Sequence, residues 1–161
     1  MNNINTQLDL LINIIYKKTL YLQDILAYTK HQSSILEKDE LDLEAFHVLV
    51  EKKDGFINKA IEIDEGFQAI YVNVRGIIEA HPELYKEKLQ TLKQSIVEIG
   101  DLGIAITVQE SRNKNQFDNI AKMEKSKVKE YSKSKLEVTN YYSSMKKQNN
   151  SGTSHFFDSK K

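Results

Sequence analysis

Apolar side chains return at alternating steps of three and four along nearly the whole of this chain, and only two short polar interruptions break the rhythm. Such steps trace one face of an α-helix, and sustained over several heptads they make a seam that must be buried against other helices. The interruptions are Glu37-Lys38-Asp39-Glu40 and His81-Pro82-Glu83, and Pro82 is the only proline among 161 residues, with just six glycines. So few chain breakers permit few turns, and therefore few, long elements. A charged fraction of 29% and a hydrophobic set of 40% spread in short clusters fit long amphipathic helices better than a deep round core.

Three helices are expected, over about residues 4–36, 41–80 and 83–146. The first carries Ile4, Leu8, Leu11, Ile15, Leu22 and Ile25 on one stripe, with Lys17, Lys18 and Lys30 outside it and Asn2 or Asn3 as a cap. The second opens near Asp39 and Asp42, whose carboxylates favour a helix N-terminus. Its seam is Leu43, Phe46, Val50, Ile57, Ala60, Phe67, Tyr71, Val74 and Ile78, widened by Leu49, Phe56, Ile63, Ile70 and Ile77. So broad a face suits a helix packed between two others. Pro82 disfavours helical geometry at His81 and is well placed at the first position of the third helix. That helix carries Leu89, Leu92, Ile96, Ile99, Ile106, Phe117, Ile120, Val128, Tyr131, Val138, Tyr141 and Met145.

Lengths then impose an asymmetry. At about 1.5 Å per residue the helices span roughly 50, 60 and more than 90 Å. Short connections make neighbours antiparallel, so the third outruns its partners by roughly 25 residues. The expected architecture is all-α: an elongated antiparallel three-helix bundle or coiled coil, a single domain over 1–147, whose long third helix overhangs the bundle. The stretch 148–161, opening Gln148-Asn149-Asn150-Ser151-Gly152-Thr153-Ser154, is expected to be a flexible tail. An unpartnered helix is marginal in water, which makes Ile120, Met123, Val128, Tyr131, Val138, Tyr141, Tyr142 and Met145 the candidate partner-binding residues.

Charge is balanced overall but polarised. Residues 1–110 hold 11 basic and 18 acidic side chains, and residues 111–161 hold 12 and 5, so −7 faces +7. Basic segments can bind nucleic acid or anionic membrane, yet Arg112 is the only arginine of the twelve and glutamates are interspersed. A solvated lysine-rich face is the better reading, with no nucleic acid expected. Met1-Asn2-Asn3-Ile4 lacks a basic lead into an apolar run, and no stretch approaches the roughly 18 apolar residues that cross a bilayer. The expectation is a cytoplasmic protein without membrane insertion.

Candidate chemistry is thin. The absence of cysteine removes disulfides, thiolate nucleophiles and the usual structural zinc sites. Glu44 and His47 form the Glu-x-x-His step of di-iron bundles, but those need two such steps and two further glutamates. His47 therefore reads as a partly buried structural histidine. His31, His81 and His155 lie far apart, and neither a phosphate loop nor a nucleophile motif is present. No metal, no cofactor and no enzymatic activity are expected.

Polar residues interrupt the seams at Lys53 in the second helix and at Glu110 and Asn113 in the third; such groups set register at some cost in stability. A hairpin centred near residue 81 sets residue n opposite roughly 162 − n. A Lys53–Glu110 contact follows.

The Leu- and Ile-rich first helix, the run Leu41-Asp42-Leu43-Glu44-Ala45-Phe46 continuing to Glu51-Lys52-Lys53, and the segment Ile104 to Asn113 together resemble the FlgN family of flagellar type III export chaperones. The end Phe156-Phe157-Asp158-Ser159-Lys160-Lys161 is similar to clostridial-type members. The resemblance implies an antiparallel bundle that binds the C-terminal helices of hook–filament junction proteins, prevents their premature assembly and delivers them to the export machinery. It also implies a binding region in the C-terminal part, here Ile120, Val128, Tyr131, Val138, Tyr141 and Met145. A related chaperone for filament or cap subunits, or a structural homodimer that hides the same stripe, stands as the alternative.

Overall fold

The structure is a computed structural model and describes residues 2–123 and 140–142. The described residues form an all-α bundle. Helix α1 runs Asn2–Leu36, α2 Leu43–Ala80 and α3 Lys86–Met123, with a single 3₁₀ turn, Pro82–Tyr85, leading into α3. Residues 140–142 are again helical. None of the described helices is long and apolar enough to cross a membrane.

Local chemistry explains the boundaries. Asp42, rather than Asp39, caps α2: its carboxylate accepts the Ala45 N–H at 3.0 Å, satisfying one of the donors every helix start leaves open. At the other end His81 leaves helical geometry (φ −135°, ψ 59°) while its N–H still donates to the Ile77 carbonyl. Pro82 follows at the first position of the 3₁₀ turn.

Most of the expected seam residues are buried, while Leu43, Phe67 and Ile96 are only partly so. On α1, Ile4, Leu8, Leu11, Ile15, Leu22 and Ile25 all lie in the core, as do Phe46, Val50, Ile57, Ala60, Tyr71, Val74 and Ile78 of α2 and Leu89, Leu92, Ile99, Ile106 and Phe117 of α3. The second row on α2 fades along its length. Leu49 is buried, Phe56, Ile63 and Ile70 are partly so, and Ile77 is 43% exposed.

Three pairs of contacts fix the topology. Antiparallel packing of α1 on α2 sets Lys18 against Asp64 at 2.6 Å and Gln32 against the Phe46 carbonyl at 3.4 Å. Tyr21 and Tyr28 also close on Phe56, with ring centroids 5.9 and 5.8 Å away. Parallel packing of α1 beside α3 sets Asp9 against Lys88 at 2.9 Å and the Thr29 carbonyl against Asn113 at 2.9 Å. Between α2 and α3, Phe46 meets Phe117 at 5.4 Å and Lys53 meets Glu110, the register expected from a hairpin near residue 81.

The central helix differs from expectation. The close backbone approaches run from α1 to α2 and from α1 to α3, so α1, not α2, is the helix packed between two others. Long side chains, not close backbones, bridge α2 and α3. The breadth of the α2 face reflects its flank against Tyr21 and Tyr28, not a position in the middle.

Candidate partner-binding site

The apolar stripe of α1 turns polar in its last third, where Thr29 and Gln32 occupy the positions after Leu22 and Ile25; both are buried. Opposite them stand Lys53 of α2 and Glu110 and Asn113 of α3. Lys53, 1% exposed, donates to Glu110 and Gln32 and lies 3.5 Å from the Thr29 hydroxyl, so each of its three protons has an acceptor. The single Thr29 hydroxyl proton is directed to the Ile25 carbonyl at 2.7 Å, with a Glu110 oxygen 3.3 Å away. Asn113 donates to the Thr29 carbonyl at 2.9 Å and accepts from Gln109 at 3.0 Å. Burial lowers the Lys53 pKa below its usual value, and Glu110 opposes that shift. The network thus saturates an ammonium that would otherwise be expensive to bury.

A second buried lysine was missed by sequence reasoning. Lys18, expected outside the stripe, is buried and paired with Asp64. Its position is the one the three-four rhythm requires between Ile15 and Leu22; its charge concealed that. Thr29 and Gln32 were overlooked for the same reason.

The main correction concerns the end of α3. A straight helix to residue 146 carries Tyr142 about 48 Å past Glu110, at 1.5 Å per residue. Tyr142 instead sits in the core, 1% exposed, close to Thr29 of α1, Asp54 of α2 and Glu110 of α3. Tyr141, partly buried, lies near Asp64, and the two rings meet edge-on at 5.6 Å. Burial pushes both phenols well above the usual tyrosine range. The Tyr141 hydroxyl has no hydrogen-bond partner among the described residues, while that of Tyr142 faces the Thr29 side chain. Tyr141 and Tyr142 are therefore internal contacts, not residues of an overhanging helix that waits for a partner.

The other expected partner-binding residues divide. Ile120 is partly buried against the core, and Met123 is 87% exposed. Val128, Tyr131, Val138 and Met145, with the tail 148–161, lie outside the described residues. The three polar residues expected to set register, Lys53, Glu110 and Asn113, are brought together.

Around the Lys53 network lies a small pocket of about 20 Å³, lined by Gln32, Phe46, Val50, Lys53, Glu110, Asn113 and Phe117.

No family model matches this chain, and neither a curated protein nor a solved structure matches it.

Proposed function

We propose that this protein is a helix-binding chaperone of the flagellar type III export kind, which works in the cytoplasm, holds the C-terminal helices of hook–filament junction proteins and delivers them to the export machinery. The observation that carries the reading is the burial of Tyr142: the three helices leave a place for an aromatic ring borne on the helical residues 140–142. Resemblance to FlgN chaperones in the runs Leu41–Phe46 and Ile104–Asn113 supplies the kind of client. Helix-in-groove capture covers a coiled-coil face that would otherwise polymerise.

The test is titration of the full chain with a peptide of a junction protein's C-terminal helix, read by calorimetry and hydrogen exchange. One-to-one binding with new protection along α2 and α3 supports the reading; absence of binding at high micromolar peptide removes it.

A second reading rests on the outer face of α3, where Val97, Ile104 and Val108 recur at steps of seven and four and are 45–55% exposed. That stripe fits a structural homodimer without a client. Sedimentation over a hundredfold concentration range separates the two, since the dimer reading requires a concentration-dependent mass.

A further inference from the structure

We propose that the buried polar layer of Thr29, Gln32, Lys53, Glu110 and Asn113 is a built-in break in the bundle, beyond which the ends of α1, α2 and α3 open and close as one unit while the body stays folded.

The layer crosses the whole section of the three helices. Thr29 and Gln32 come from α1, Lys53 from α2, and Glu110 and Asn113 from α3, and polar contacts join each helix to both others. Beyond the layer the apolar packing is short, resting on Ile35 and Leu36, on Phe46, Leu49 and Val50, and on Phe117. On the other side the body draws on the longer seams Ile4 to Ile25, Ile57 to Ile78 and Tyr85 to Ile106.

Two properties make the layer the weakest joint along the bundle. Apolar residues resist separation because each loses its burial on opening. A buried ammonium and carboxylate gave up hydration when they were enclosed and regain it when the end opens, so their pairing holds the two parts together less than its hydrogen bonds suggest. Packing is interrupted at the same place. The pocket of about 20 Å³ lies between the layer and Phe46, Val50 and Phe117, with room for about one water.

The geometry favours joint opening over the fraying of one helix. The turn between α1 and α2, residues 37–42, lies at this end, Gln32 reaches the Phe46 carbonyl at 3.4 Å, and the Phe46 and Phe117 rings meet at 5.4 Å, so no helix end leaves without the other two losing contacts. The second buried ion pair provides a contrast. Lys18 and Asp64 join α1 to α2 alone, Asp64 stays 25% exposed, and Leu92 and Ile99 keep the α3 seam apolar. No break is expected there.

The experiment is native-state hydrogen exchange of the full chain, read by mass spectrometry at stepped urea concentrations below the unfolding transition. Amides of 33–36, 43–51 and 114–121 are expected to share one opening equilibrium, roughly tenfold or more above that of amides in 8–25, 57–78 and 89–106, with the step at the layer. Protection that rises gradually from the helix ends, or one common value for the whole chain, overturns the proposal. Lys53→Met with Glu110→Leu, which makes the joint apolar, should bring the end to the protection of the body, whereas Lys18→Met with Asp64→Leu should leave the step in place. A step that the first pair of substitutions does not move overturns the role of the layer. Should that variant fail to fold, the wild-type profile decides between a shared step and graded fraying.

Discussion

Lys53 is the residue on which the interior turns. Its ammonium is buried, and Glu110, Gln32 and Thr29 take its three protons. Changing it to methionine leaves the part-buried Glu110 carboxylate without its cation and is expected to cost about 3 kcal/mol in urea unfolding; Lys53→Met with Glu110→Leu should recover most of that loss. The pH dependence has a definite sign. With the folded Lys53 pKa lowered from 10.5, the unfolded chain binds more protons between the folded value and 10.5, so stability rises with pH through that window. Both phenols are raised from 10.0, so above that pH the unfolded chain releases protons that the folded chain keeps, and stability falls. A stability maximum just below pH 10 is the expected outcome of melts from pH 7 to 11, and Tyr142→Phe should soften the alkaline fall. Lys53–Glu110 was legible in the sequence because hairpin symmetry about residue 81 is simple geometry. Lys18, Thr29 and Gln32 were not, because residue type argued for the surface while position argued for the core, and position prevailed.

At the scale of elements, helix ends and faces follow from local chemistry. The Asp42 carboxylate closes the start of α2 at 3.0 Å from the Ala45 N–H, and Asp42→Ala is expected to cost about 1 kcal/mol, a fall in thermal midpoint of roughly 2–4 °C. Periodicity identified which face of each helix is buried, since that information repeats every three or four residues. Periodicity does not say which helix lies in the middle. Two broad faces can meet one another or flank a third, and here α1 took the central place because Tyr21 and Tyr28 pack on Phe56 along one of its flanks while Asn113 and Lys88 reach it from α3. Nor was the return of Tyr142 to the core legible. Residues 124–139 contain neither proline nor glycine, and an unbroken heptad rhythm on both sides of them reads as one helix.

For the whole molecule, the arrangement divides the charge into an acidic body and a basic C-terminal third and seats part of that third on the body at Asp54, Asp64 and Glu110. The seam that an overhanging helix would present to a partner is, at Tyr142, already used. The most direct measurement takes advantage of a chain without cysteine: nitroxide labels at Arg112→Cys and Asn140→Cys, both exposed positions, with the distance read by pulsed electron spin resonance in the free protein. The docked arrangement predicts a separation within about two helix diameters, roughly 20–25 Å. A distribution centred near 42 Å, the length of a straight helix from 112 to 140 at about 1.5 Å per residue, would contradict it and restore the overhang.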